Sequence, residues 1–191
     1  VIETLNCKGF LQSSSYITEC LRGCDILCLS ETWLKPENTD NISQVIGASI
    51  PQYNFNIFAK SGMCDVDPDY TGRPFGGVAV IVKQRDDFSC HELSVQSDRI
   101  VAAAITNTKG EIVHIIASVY MPYYDRSKPG QTDSFLNTVD ALQSFIDEYA
   151  NEAPITLCGD WNVQLPHKCQ LFKHWYQQKG FTPHSIGLAL V

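Results

Sequence analysis

Apolar positions along this chain fall into two patterns, one with the compactness of strands and one with helical spacing. Residues 1–6 (VIETLN) read as a strand, and 25–31 (DILCLSE) form a nearly continuous apolar run, as expected of a strand covered on both faces. Residues 53–59 (YNFNIFA) alternate as a half-buried strand does, and a Gly-rich turn feeds another buried strand over 72–83. Further strands are predicted over 88–95, 99–107, 111–122 and 154–160, with Asn107-Thr108-Lys109-Gly110 as the hairpin turn joining 99–107 to 111–122. Helical spacing occurs over 13–23, where Tyr16, Ile17, Cys20 and Leu21 share a face and the serines suit the N-cap. It is clearest over 132–152, where Phe135, Leu136, Val139, Leu142, Phe145, Ile146 and Tyr149 make one stripe and Thr132 or Asp133 can cap it. A third helix is predicted over 168–180, stopped by Gly180. The segment from Thr32 to about Gln52 reads as a long polar stretch.

Two groups of strands with helices at intervals predict an α/β fold. Strands so continuously apolar need cover on both faces, which favours a four-layer sandwich: two mixed β-sheets packed face to face with helices outside. The length, 191 residues, suits one domain spanning 1–191. No apolar run approaches bilayer length, so no membrane partner is expected. A net charge of −7 argues against broad adhesion to nucleic acid, yet leaves room for a local basic rim around an acidic, cation-filled centre. The eight cysteines include no C-x-x-C pair. Cys28 and Cys158 sit in strands as small hydrophobes, and Cys20, Cys24 and Cys28, spaced by four, fall on two elements and make a weak case for zinc. The expectation is a reduced intracellular protein and, from the missing initiator Met, a piece of a longer polypeptide.

Strand ends carry the candidate chemistry. Asn6 follows one strand, Glu31 another, Tyr120 closes a third, and Asp160 and Asn162 follow a fourth. Each has a bland reading: a turn asparagine, a loop glutamate, a half-buried tyrosine with a wet hydroxyl, an aspartate in a turn after Gly159. Together they supply two carboxylates, carboxamides and a phenol with no thiolate–imidazole cluster, the donor set of a hard-cation site. Layered α/β folds build sites at strand ends, where several strands deliver side chains to one crevice.

The ordered series "LNCKGF", "DILCLSETWL", "RPFGGVAVIV", "SVYMP" and "CGDWN" resembles the endonuclease/exonuclease/phosphatase superfamily over nearly the whole chain. Its finer spelling is similar to the apurinic-endonuclease-type domain of non-LTR retrotransposons. The resemblance implies a Mg²⁺-dependent (or Mn²⁺-dependent) DNA-nicking endonuclease that hydrolyses phosphodiester bonds. Carried over by position, Glu31 is the metal-binding carboxylate and Asn6 supports the metal or the scissile phosphate. Tyr120 hydrogen-bonds the phosphate, and Asp160 orients or deprotonates the attacking water with Asn162 fixing its position. It further implies DNA as partner, a reverse transcriptase domain on the same parent polypeptide, and action in the nucleus. Arg73, Arg126, Lys128 and Lys168 are the candidate contacts to a nucleic-acid backbone.

Three departures stand against that pattern. Lys8 occupies a position where apurinic endonucleases have a metal-holding acid, and Tyr123 stands where the family often has Asn. The family also ends in an Asp-His pair that contacts phosphate, whereas this chain runs "GFTPHSIGLALV" with His184 too early to serve. The expectation is therefore a domain truncated at its C-terminus, with its last strands missing. Two other readings stay open: a phosphomonoesterase or phospholipase of the same superfamily, and a catalytically inactive remnant.

Overall fold

The computed structural model describes residues 1–64, 66, 70–123, 127, 129–162 and 186–188. In chain order these form β1 (Ile2–Asn6), α1 (Phe10–Gly23), β2 (Ile26–Ser30), a 3₁₀ turn (Pro36–Asn38), α2 (Asn41–Ser49), β3 (Phe55–Lys60), β4 (Val78–Lys83), β5 (Phe88–Leu93), β6 (Ile100–Asn107), β7 (Ile112–Tyr120), α3 (Pro129–Tyr149), β8 (Ile155–Asp160) and β9 (Ile186–Leu188). The strands make a four-stranded sheet in the order β1-β2-β4-β3 and a five-stranded sheet in the order β5-β6-β7-β8-β9. Both are mixed: β1 runs parallel to β2, and β7 to β8 and β9, while the remaining pairs are antiparallel.

Side-chain alternation explains the layers. In β2, Leu27 and Leu29 point to one face of the first sheet and pack with Ala79 and Ile81 of β4 against Phe10, Ile17 and Leu21 of α1 and Ile42 and Ile46 of α2. The intervening Ile26 and Cys28 point the other way, with Val78, Val80 and Val82, and meet Val101, Ala103, Ile116 and Cys158 of the second sheet. The outer face of that sheet, with Ile100, Ala102, Ile115, Ala117 and Leu157, is covered by Phe135, Leu142, Phe145 and Ile146 of α3. Three apolar clusters separating four layers are the predicted sandwich, and they explain why these strands carry no polar face. Burying each such aliphatic side chain stabilises the fold by about 1.5–3 kcal/mol.

Several elements differ from the sequence-based expectation. Helix α1 starts at Phe10, with Gly9 rather than a serine before it. Phe10 is fully buried and anchors the first turn, while Ser13 and Ser14 donate their hydroxyls to the carbonyls of Cys7 and Leu11 instead of capping. Helix α3 begins at Pro129, which places Thr132 and Asp133 inside it, and Leu136 lies off the buried stripe at 40% exposure. The supposedly polar stretch holds α2, whose Ile42 and Ile46, with Ile50 just beyond its end, recur every four residues and are all buried. The last strands are not all missing: β9 extends the sheet beside β8, with Leu157 opposite Ile186 and Gly159 opposite Leu188. Three residues are too few to show a period, and the sheet edge supplies the pairing that local pattern lacks. The helix expected over 168–180 lies outside the described residues.

No described helix is long and apolar enough to cross a membrane.

Candidate active site

The inward-facing register of four strands ends in polar residues at one mouth of the sandwich. On β1 and β2, Asn6 stands opposite Ser30, and Glu31 follows directly. On the facing sheet Tyr120 of β7 stands opposite Asp160 of β8. The two sheets are joined below this mouth by Ser118 Oγ donating to the Leu29 carbonyl at 2.8 Å. At the mouth itself, Asn6 Nδ2 donates to Asp160 Oδ2 at 2.7 Å, across 154 positions of sequence.

Each side chain is held by its own local chemistry. Asn6 is oriented because its Oδ1 accepts the backbone N–H of Lys8 at 3.2 Å, which turns Nδ2 toward Asp160. Asp160 Oδ1 accepts the backbone N–H of Asn162 at 3.1 Å, a side-chain turn of the Asx kind. The turn reading of "GDWN" is present, and the turn fixes the Asp160 carboxylate beside Asn6. Asn162 itself sits at φ 46° and donates Nδ2 to the Met121 carbonyl at 2.9 Å, tying the end of β8 to the end of β7. Gly159, at φ +126°, permits that approach, since a Cβ there would lie 1.9 Å from the Val119 carbonyl oxygen.

Glu31 occupies the left-handed region at φ 55°, costly for a residue with a Cβ and held by its neighbours. The Glu31 carbonyl accepts the Gly9 N–H at 2.8 Å, and Thr32 and Trp33 donate their N–H groups to the carbonyls of Gly77 and Gly76 at 3.3 and 2.9 Å. Gly77 is required there because a Cβ would meet Thr32 Oγ1 at 2.2 Å. The "GRPFGG" segment therefore serves as a brace for the loop that carries Glu31.

The electrostatics show that both carboxylates face Tyr120. Burial raises the Tyr120 hydroxyl to about 12, and the charges of Glu31 and Asp160 and a hydrogen bond with Glu31 push in the same direction. Near neutral pH this phenol is a hydrogen-bond donor. Arg99 opposes the shift, its guanidinium carbon lying 5.7 Å from the Tyr120 ring centroid.

Arg99 escaped the sequence reading. Counting back from the hairpin turn misplaces it by one, because the β6–β7 register shifts at Ile105/Thr106. That bulge sets Ile100 opposite Val119, and Tyr120 then donates its N–H to the Arg99 carbonyl at 2.9 Å.

Of the other expected site residues, Arg73 lies with its guanidinium carbon 3.5 Å from the centroid of Trp33, on the Glu31 side of the mouth. Arg126, Lys128, Lys168 and His184 lie outside the described residues. Lys8 is exposed, with φ 45°, and its contribution here is the backbone N–H that orients Asn6.

The donor set fits a hard divalent cation bound sparingly. Among the described residues no group of three His, Cys, Asp or Glu side chains is placed to hold a metal. A carboxylate and a carboxamide oxygen, from Glu31 and Asn6, suit Mg²⁺, which takes few protein ligands and leaves waters and substrate phosphate to complete its shell. A zinc site from Cys20, Cys24 and Cys28 has no support: Cys20 and Cys24 pack on the helix side of the first sheet, Cys28 in the inter-sheet core.

No protein-family model matches the sequence, and no curated protein matches it. Solved structures do. The 3′ phosphatase NExo from Neisseria, bound to a product DNA hairpin, matches with a TM-score of 0.57 and 17% identity over 92% of this chain and 63% of its own. An AP endonuclease from Archaeoglobus fulgidus matches with a TM-score of 0.51 and 18% identity over 85% of this chain and 57% of its own. A mannosyl-6-phosphatase from Bacteroides thetaiotaomicron matches with a TM-score of 0.53 and 13% identity over 87% of this chain and 66% of its own. This chain thus spans less than two thirds of the length of each. Its fold is the two-sheet α/β sandwich shared by proteins of the endonuclease/exonuclease/phosphatase type.

Proposed function

We propose that the chain is a metal-dependent phosphodiesterase that nicks DNA. The observation that carries this reading is the Asn6–Asp160 hydrogen bond, which brings the strand ends of both sheets, with Glu31 and Tyr120, into one crevice. Glu31 and the Asn6 carboxamide oxygen are the residues that would hold Mg²⁺. When bound, the cation offsets the charge that develops on the phosphate and leaving oxygens.

The protein's own groups divide the remaining work. Asp160, held at one oxygen by Asn6 and at the other by the Asn162 backbone, is placed to take the proton of an attacking water. Tyr120, kept protonated by its surroundings, donates to a non-bridging phosphate oxygen. Arg99 adds positive charge on that side. The retrotransposon-like spelling of the sequence supports the finer reading, in which the nick primes reverse transcription. On that reading a reverse transcriptase domain belongs to the same polypeptide and the site of action is the nucleus.

The net charge of −7 favours a second reading, a phosphomonoesterase with a small substrate. A substrate panel separates the two. Supercoiled plasmid and 4-nitrophenyl phosphate are offered to the purified chain with Mg²⁺ and with EDTA. Mg²⁺-dependent nicking without monoester turnover is expected. Monoester hydrolysis alone supports the second reading, and no turnover of either by a folded chain supports an inactive remnant.

A further inference from the structure

The floor of the mouth holds a polar atom with no role in the steps above. Ser30 ends β2 on the inward face that Ile26 and Cys28 share, where another aliphatic residue would be at home. Ser30 is 1% exposed, and its Oγ has no hydrogen-bond partner among the described residues. Other buried hydroxyls do not share this state: those of Thr18, Ser61, Ser118 and Thr138 each donate to a backbone carbonyl. A buried hydroxyl without a partner has lost its hydrogen bonds to water without replacement, a penalty native structures rarely keep.

Strand register shows what lies around it. Asn6 is the partner of Ser30 on β1 and shares its face, and Asn6 reaches the Asp160 carboxylate at the mouth. On the other side, Val78 of β4 offers no polar side chain. Ser118 bonds the carbonyl of Leu29, the residue before Ser30. The Ser30 hydroxyl is therefore set between the Ser118 hydroxyl and the Asn6–Asp160 pair. Both of these groups can only accept. Ser118 gives its one proton to Leu29, and Asp160 Oδ2 keeps a lone pair after accepting from Asn6. Two acceptors beside a hydroxyl with one proton call for a group with two protons of its own. Water is the smallest such group, and a buried water typically makes about three hydrogen bonds.

We propose that Ser30 is a positioning residue: its hydroxyl donates to a buried water, which in turn donates to Ser118 Oγ and Asp160 Oδ2. The water holds the Asp160 carboxylate from below while Asn6 holds it from the side. Asp160 Oδ1 keeps its second lone pair for the attacking water. The proposal rests on the phosphodiesterase reading above for what Asp160 does, and not for the buried water itself.

The test is the exchange of the Asn6 Nδ2 protons with solvent, followed by NMR in the full chain in EDTA. In Ser30→Ala, shown folded by circular dichroism, exchange is expected to be roughly tenfold faster, the effect of one lost hydrogen bond. Ser30→Thr keeps the hydroxyl and is expected to exchange at the wild-type rate. Exchange unchanged in Ser30→Ala, or equally fast in Ser30→Thr, would overturn the role. High-resolution diffraction of the unaltered chain decides the matter even if neither variant folds. A water bridging Ser30 Oγ, Ser118 Oγ and Asp160 Oδ2 is expected, and a Ser30 hydroxyl bonded directly to protein would overturn it. Plasmid nicking in Mg²⁺, measured in parallel, keeps the two claims apart. Where the wild type nicks and exchange ignores Ser30→Ala, the role of Ser30 is lost and the hydrolytic reading stands. Where exchange responds but the wild type never nicks, the water stands and the hydrolytic reading is lost.

Discussion

Asp160 has hydrogen bonds to both carboxylate oxygens before any substrate arrives, one from a side chain of the opposite sheet and one from its own turn. Such pre-orientation is what a general base needs, because a misplaced group loses most of its effect. Asn6→Ala removes the donor at Oδ2 while leaving the Asn162 contact. It is therefore expected to lower kcat by at least roughly tenfold, with a smaller change in thermal stability, since the site lies at the partly exposed mouth rather than in the core. Nicking rates paired with thermal melts check this; a variant as active as the wild type would show that the cross-sheet bond does not position Asp160. Glu31 makes a related point through its backbone. A left-handed glutamate persists only because Gly9, Gly76 and Gly77 bind the loop around it. Sequence reading singled out Glu31 as a candidate from its place after an apolar run, but a positive φ at a glutamate has no local sequence signal.

The turn after β8 is where a single atom decides how two elements meet. Gly159→Ala places a Cβ 1.9 Å from the Val119 carbonyl oxygen and forces an L-residue to φ +126°. The conformational cost alone is about 1–3 kcal/mol. Separation of β7 from β8 adds to it and moves Tyr120 away from Asp160, so both melting temperature and nicking are expected to fall together. Retention of both would contradict the strand pairing at this end.

On β7, His114 lies 2.8 Å from Thr156 Oγ1, and burial depresses its pKa below the ordinary value. The unfolded chain therefore takes the proton first. The contribution of the neutral imidazole is complete above about pH 6.5 and is lost as pH falls through the lower folded value. Urea midpoints measured across that window are expected to fall less steeply in His114→Gln than in the wild type. Elements were legible in the sequence wherever period and length were both sufficient, as in β2, β4, β6 and α3. Helix α2 was missed because only its isoleucines repeat amid polar residues, and Arg99 because a bulge breaks the count from the turn. What remained unreadable was set by pairing between distant segments.

The whole molecule is two sheets pressed together, and Cys28 and Cys158 record that union from opposite sides. Both are buried in the inter-sheet core, and the hydrogen bond with Cys158, with burial after it, pushes the Cys28 thiol upward. Cys7 and Cys24 are likewise raised, to about 12 and about 11, chiefly by burial. Cys64 is exposed. Pulsed alkylation read by mass spectrometry is expected to modify Cys64 rapidly. Cys28 and Cys158 should react slowly and at one shared rate, that of global opening. Different rates at the two would mean that the sheets open separately. At this scale the architecture was readable from the sequence because every layer leaves its own apolar stripe. The mouth was readable only as an inventory of strand-end residues, since their convergence depends on which sheet faces which.

The central claim is that strand ends from both sheets act as one hydrolytic unit. Single-turnover nicking of supercoiled plasmid in Mg²⁺ by Glu31→Gln, Asp160→Asn and the double variant tests it most directly. Each single variant is expected to lose roughly 10²–10⁴-fold in rate, and the double variant to lose little more than the worse single, as residues acting together do. Folded single variants that nick at the wild-type rate would contradict the account.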